Sequence, residues 1–334
     1  MKRIVLLTIC LAGYLAVLTG CSPAGKYRTV NGVVMGYSFK IVYQAPSYVP
    51  WTFESDIRRA ARRCTQEVDR SLSLYHRNSI INNINNNKDL KTDTIFETVL
   101  LKAKEVSELT GAFLNTTTGP LQDLWGYNMS NYQHVSAEEI AKVLDYTGLW
   151  RVHLKEGFVE KEDPRIRLNL NALGIGYAAD YLADMLERNQ VVNYMIEVGK
   201  VVKCKGVNPA GTPWRIQADQ ASNDVIYLTD KAMSIYGSLF NFRVREGKIF
   251  NNLFNAKTGY PIEDPLLSTL IVSGNCLDAA AYSVSFYSMG LEQSISFLES
   301  HSDIQAILFY YQDDQIKTHA TTNITPRNEI QYFP

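Results

Sequence analysis

Residues 167–189, RLNLNALGIGYAADYLADMLERN, read as a strand that runs through a glycine-bearing turn into an amphipathic helix. Many proteins hold a phosphate at such a junction, because the first amides of a helix point outward without partners. This turn carries almost no charge. Asn169, Asn171, Ala172 and Ile175 stand where a catalytic phosphate site offers an acid, a base or a cation to handle charge on oxygen. The stretch therefore poses a choice between a working site and the shell of one.

Outward from it, strand-like and helix-like segments are mixed. Ile57, Ala60, Ala61, Cys64, Val68 and Leu72 recur at near-helical spacing and predict a helix after an acidic start at Glu54 and Asp56. Further helices are expected at 95–109, 175–188, 277–288 and 291–299, and after Ser136, which has Glu139 three residues on. Strand candidates are WRVHL, RIRLNL, YMIEVGKVVKCKGV, WRIQAD, AMSIYGSL, NFRVREGKIF and LSTLIVSG, and VNGVVMGYSFKIVYQ (30–44) reads as one strand with a bend. The Asn-rich run NSIINNINNNKDL reads as a helix end and loop, and GPLQDLWGY as a turn with an aromatic anchor. Strands and helices do not alternate strictly, which favours a single large mixed α+β domain over a doubly wound sheet.

An apolar content of 46% in 334 residues supports a substantial core. Lys plus Arg (33) balance Asp plus Glu (34) with no basic tract, which excludes a nucleic-acid partner on electrostatic grounds. Lys2 and Arg3, then IVLLTICLAGYLAVL, then LTGC, have the order of an export signal ending in a bacterial lipobox. On that reading residues 1–20 are a lipoprotein signal peptide, Cys21 is the lipidated N-terminus, 21–28 a tether and 29–334 the folded domain. The expected location is the bacterial cell envelope, lipid-anchored to a membrane and facing the periplasm. Cys64, Cys204 and Cys276 are widely spaced and read as buried free thiols. The histidines show no metal-ligand spacing.

Seven motifs in order carry a resemblance. VMGYSFKI (34–41), EVDRSLSLYHRNSIINNIN (67–85), TGAFLNTTTGPLQDLWGY (110–127), LNLNALGIGYAADYLADML (168–186), GTPWRI (211–216), NNLFNAKTGYPI (251–262) and LDAAAYSVSFYSMG (277–290) resemble the flavin transferase lipoproteins of the ApbE family. The resemblance implies an enzyme that takes FAD and, with magnesium, attaches FMN through a phosphoester to a Thr or Ser hydroxyl of an envelope acceptor protein, releasing AMP. It implies FAD contacts at Met35, Tyr75, Ala112, Phe113, Leu114, Asn169, Ile175, Leu253 and Ala281, and magnesium contacts at the Ala172 carbonyl, Asp278 and Tyr282.

Several of these positions depart from the family's pattern. Asn169 stands for an Asp, Asn171 and Ala172 for paired glycines, and Ile175 for a Lys or Glu, while Gly176, Tyr177, Ala178 and Asp180 are kept. Either Leu114 or Asn115 stands for the Asp that follows Gly-Ala-Phe. Lys200 and Val201 replace a Gly-Asp pair after Gly199, Asn255 replaces an Asp, and Asn252 takes the place of the His. An amide cannot act as a general base, so the catalytic base is not identified. Asp278 is kept, but its partner four residues on is Tyr282 rather than Thr. Two further readings follow: an inactive flavin-binding or partner-docking lipoprotein, and a structural lipoprotein in which Met35 and Tyr75 are core residues.

Overall fold

A computed structural model of the chain describes residues 26–46, 48, 50, 52–126, 131, 134–218, 224–237, 243–245, 248–322, 324 and 327–328. The expected signal segment, 1–20, and Cys21 lie outside the described residues.

The chain opens with the hairpin β1 (Tyr27–Val34) and β2 (Tyr37–Gln44), then runs through α1 (Phe53–Leu72), α2 (Ile80–Asn85), α3 (Thr94–Leu109), α4 (Gly119–Trp125) and α5 (Ala137–Leu144). A 3-10 turn (Leu149–Arg151) leads into the small hairpin β3 (Val152–Lys155) and β4 (Phe158–Lys161), followed by the long helix α6 (Asn171–Arg188). Next come β5 (Tyr194–Val198), β6 (Val201–Lys205), β7 (Trp214–Gln217), β8 (Asp224–Leu228), β9 (Lys231–Gly237), β10 (Arg243–Arg245), β11 (Lys248–Phe254), β12 (Pro261–Glu263) and β13 (Leu266–Ser273). Helices α7 (Cys276–Met289) and α8 (Leu291–Ser300) precede β14 (Gln305–Gln312), β15 (Gln315–Ala320) and β16 (Arg327–Asn328).

One sheet of eight strands, in the order β1-β2-β5-β6-β9-β13-β14-β15, organises the molecule, and every neighbouring pair in it is antiparallel. Alternation along β14 shows how its two faces are used. Ala306 and Leu308 pack with Phe286, Met289 and Leu298 of α7 and α8, whereas Ile307 and Phe309 pack with Trp214, Ile216 and Leu228 of the small β7-β8-β16 sheet. Both faces are therefore covered, and each fully buried Leu, Ile or Phe there contributes about 1.5–3 kcal/mol. The α+β expectation holds, since an antiparallel sheet with segregated helices is its defining arrangement.

The expected strand at 165–170 is absent. Its amides are taken by other partners: Leu168 N–H donates to Asn85 Oδ1 and Asn169 N–H to the Thr116 carbonyl, both at 2.7 Å. The helix starts at Asn171, so Gly174 and Gly176 lie inside its first two turns and form no loop. Close packing explains them. A Cβ at Gly176 would stand 2.6 Å from the Cys276 carbonyl oxygen, and one at Gly174 would stand 3.2 Å from Met35 Cε. The two long strand candidates at 30–44 and 194–207 are each a hairpin, reversed at Met35–Gly36 (φ 51° and 77°) and at Gly199 (φ 57°).

Two segments read as irregular are helical. Ser79 accepts the Asn82 N–H as N-cap of α2, and Ile81 and Ile84 are buried from it. Pro120 sits in the first turn of α4, where a missing N–H costs nothing. The capping box of Ser136 and Glu139 is formed as expected. Cys64, Cys204 and Cys276 are free and buried.

Candidate functional site

The head of α6 brings together residues distant in sequence. Met35 leans on it from the β1–β2 turn, held by a 3.0 Å hydrogen bond from its N–H to Thr65 Oγ1 of α1. Ala172, Ile175, Met35, Leu253 and Tyr282 are all half-buried against the same core cluster. Phe113, Leu253 and Tyr282 also border the cluster beneath α7 and α8. The head of α6 is capped indirectly, with Asn169 Oδ1 accepting the Asn171 N–H at 3.1 Å. Ala281 is fully buried in the core beside them.

The turn after α3 settles which residue faces this region with polar atoms. Leu114 is buried in the main core, whereas Asn115 Oδ1 accepts from Thr117 N–H at 2.9 Å and from its hydroxyl at 2.7 Å. Asn115 Nδ2 and Thr116 Oγ1 are sealed from solvent and make no hydrogen bond. These orphans adjoin Asn169, because its N–H is bonded to the Thr116 carbonyl. Unpaired buried polar atoms are costly, and a polar ligand is one thing that satisfies them. Phe113 carries the Lys257 ammonium over its ring at 5.0 Å. Ala112, at φ 70°, lines a cleft of about 470 Å³ with Lys104, Trp150 and His153, on a different face of α3 from Lys102.

Asp278 lies in the first turn of α7. Asn275 caps that helix by accepting the Asp278 N–H at 2.7 Å and returns an Nδ2 donor to Asp278 Oδ2 at 2.9 Å. Asp278 Oδ1 is sealed from solvent and takes no directed hydrogen bond; its partner is the Lys102 ammonium of α3, a contact of charges at 2.9 Å. Lys102 also holds Glu105 Oε2 at 2.7 Å. Burial pulls the Lys102 pKa down, but the Glu105 and Asp278 carboxylates outweigh it and the net shift is upward. Tyr282, one turn along, stacks on Phe286, and burial followed by the Glu105 and Asp278 charges raises its pKa, so it is a neutral phenol.

The remaining candidates frame this centre. Asn255 Oδ1 accepts the amides of Lys257 and Thr258 at 2.9 and 3.1 Å, closing the 255–259 turn onto Trp125, whose Nε1 donates to the Gly259 carbonyl at 2.9 Å. Asn252 lies on β11, with its side chain outside the described residues. Lys200 Nζ donates to the Gly237 carbonyl at 2.7 Å. Tyr75 is 94% exposed on the α1–α2 connection and belongs to no core, which removes the structural reading that required it to be buried. Asn82 braces that connection by donating to the Leu74 and His76 carbonyls at 3.0 and 2.9 Å.

Sequence reasoning missed Lys102 and Thr116, left Asn115 as an alternative to Leu114, and gave Asp180 no role. The Asp180 carboxylate of α6 accepts the N–H groups of Cys276 and Leu277 at 2.9 Å each, and so sets the start of the helix that carries Asp278. Burial raises its pKa, with the two amides opposing. Its survival beside Gly176 was a signal of position without a stated partner.

Comparison with known proteins gives a consistent result. The chain is 26% identical over 326 residues to the FAD:protein FMN transferase of Vibrio cholerae serotype O1, covering 93% of this chain and 96% of that one. The corresponding Haemophilus influenzae protein is 24% identical over 319 residues, covering 90% and 92%. The fold matches the crystal structure of the Pseudomonas stutzeri flavinyl transferase ApbE, apo form, with a TM-score of 0.81 at 22% identity over 89% and 95% of the two chains. The Vibrio cholerae flavin transferase ApbE matches with a TM-score of 0.78 at 24% identity over 89% and 97%. The family model for ApbE aligns with residues 35–308, which include the Met35 turn, the orphaned Asn115–Thr116 pair, the head of α6 and Asp278, and on this ground the chain belongs to the ApbE family.

Proposed function

We propose that this protein is a flavin transferase that binds FAD between the head of α6, the Met35 turn and the Gly-Ala-Phe turn, and passes FMN to a Thr or Ser of an acceptor protein. The observation that carries the reading is the pair of buried, unbonded donors at Asn115 and Thr116, set against Asn169 where α6 begins. They are what a neutral site for a polar ligand requires, and helix-head amides beside them suit phosphate oxygens. The family relatives that span nearly the whole chain act on FAD and a protein, which supports the same substrates here.

In the transfer the acceptor hydroxyl oxygen attacks the phosphorus on the FMN side of the pyrophosphate. The P–O bond to AMP breaks, and the hydroxyl proton is lost. This chain's residues bind and orient: Met35 offers a thioether to the ring, Asn115 and Thr116 offer donors, and Leu253, Phe113 and Ile175 exclude water. The magnesium implied by family resemblance meets a donor set that does not suit it. Asp278 has one oxygen bonded to Asn275 and the other paired to Lys102, Tyr282 replaces a compact hydroxyl, and no cluster of three or more His, Cys, Asp or Glu occurs among the described residues.

Anchorage through a lipid on Cys21, with the domain in the bacterial envelope, belongs to the same proposal and rests on the lipobox. The test is incubation of the full-length protein in detergent with FAD, following AMP with and without magnesium. AMP release supports the transferase. Tight FAD binding with no AMP release supports the second reading, a flavin-binding lipoprotein, which Asn252 in place of a base favours.

A further inference from the structure

We propose that the Lys102 ammonium takes the place of a divalent ion on Asp278, so that this chain holds the charged part of a flavin nucleotide without a metal. The inference rests on the flavin reading above for its ligand, and on side-chain geometry for its cation.

A buried carboxylate oxygen that receives no hydrogen bond needs a positive charge beside it. Asp278 Oδ1 is such an oxygen, and the charge beside it belongs to the chain. Lys102 reaches it from α3, an element 176 residues away in sequence that none of the resemblance's charged positions occupies. The pair is well shielded, with side-chain exposures of 21% for Lys102 and 23% for Asp278. Oδ2 is fixed in turn by the Asn275 Nδ2 donor, so the carboxylate cannot rotate to present a second free oxygen without giving up that bond. The ammonium is also braced by Glu105 on its own helix, which fixes the long side chain toward α7. A metal approaching Oδ1 would have to displace this ammonium, so the two cations exclude each other.

The substitutions around the centre fit the same exchange. Ile175 brings no charge, and Tyr282 brings a phenol that packs on Phe286 where a compact metal-binding hydroxyl would be expected. A site without these contacts, and with an internal ammonium on its carboxylate, draws its positive charge from the chain itself.

The test titrates FAD into the full-length protein, read by quenching of flavin fluorescence, in EDTA and then in magnesium. The unmodified protein is expected to bind with the same affinity in both. Lys102→Met is expected to bind on the order of tenfold more weakly in EDTA and to recover when magnesium is added. A tenfold loss for the unmodified protein in EDTA, or a Lys102→Met protein indistinguishable from it in EDTA, overturns the proposal. If neither protein binds FAD, the flavin reading has failed, and direct Mn²⁺ titration by electron paramagnetic resonance decides the cation claim alone. Lys102→Met must then bind Mn²⁺ about tenfold more tightly than the unmodified protein, and lose it when Asp278→Asn is added. Equal Mn²⁺ affinities overturn it.

Discussion

Asp180 Oδ2 accepts the Leu277 N–H at 2.9 Å, which joins the middle of α6 to the first turn of α7. Its other oxygen takes the Cys276 N–H, and one turn earlier Gly176 lets the Cys276 carbonyl approach within contact of the α6 backbone. The helix that carries Asp278 is thus fixed to the helix whose head forms the proposed ligand site. Asp180→Asn presents an amide N–H to an amide N–H and leaves one of them unpaired in a buried place, at a cost of about 1–3 kcal/mol. Gly176→Ala meets backbone atoms that cannot turn aside and should cost about as much. Both are read by urea unfolding, and full stability in either would show that the joint is not under this constraint.

Thr116→Val separates fold from function. The hydroxyl is buried and unbonded, so its replacement by a methyl of the same shape should stabilise the protein by roughly 1 kcal/mol while weakening FAD. Thermal unfolding and FAD titration should move in opposite directions.

Tyr75 presents the reverse case. At 94% exposure its ring supports no packing, so Tyr75→Ala should leave unfolding unchanged. FAD affinity should fall by about 1 kcal/mol, the scale of one stacked aromatic contact, and by more than for Ile175→Val. Equal affinity in Tyr75→Ala and the unmodified protein would remove the ring from the site.

Lys161 gives a pH signature. Its ammonium donates to the carbonyls of Ile84, Pro164 and Ile166 at 2.9, 3.2 and 3.0 Å, tying β4 to the segment that leads into α6. Burial lowers its pKa from 10.5 to about 8. The unfolded chain therefore binds this proton more tightly than the folded one, so its contribution to stability is fully present above pH 10.5 and is lost as pH falls through about 8. Lys161→Met should flatten the rise between pH 8 and 10.5 relative to the unmodified protein. Unfolding titrations of the two proteins across that window provide the comparison.

Cys21→Ser tests the anchor. With the proposed lipid attachment site removed, the protein should appear in the soluble envelope fraction or persist as an unprocessed precursor. Unchanged fractionation would remove the lipobox from the account.

Much of the fold could be read locally. The helix from Phe53 to Leu72, the Ser136 capping box and α7 follow from spacing and caps within a few residues of one another. The strand expected at 165–170 failed because Asn85 and Thr116, far off in sequence, supply its hydrogen-bond partners. Glycines 174 and 176 looked like a turn, but they are helix residues placed for contact with Met35 and Cys276, a reason visible only after packing. Asp278 could be marked from its motif, whereas Lys102 lies on an ordinary amphipathic helix and is revealed only by what it touches. Likewise, periodicity did not separate Leu114 from Asn115; the turn's own hydrogen bonds did.

The pairing of β2 with β5 also dictates an order of assembly. Gln44 and Asn193, joined through their side chains, are 149 residues apart along the chain. The β1–β2 hairpin forms from neighbours within its own turn and can appear early. Phe53 of α1 can cover Tyr43 soon after, but the inner edge of the hairpin stays bare until β5 arrives. Closing so long a loop slows folding more than it weakens the native state. During that wait the hairpin is the part of the chain best suited to pair with another copy, so crowding during synthesis should cost yield at its first strands rather than at its helices.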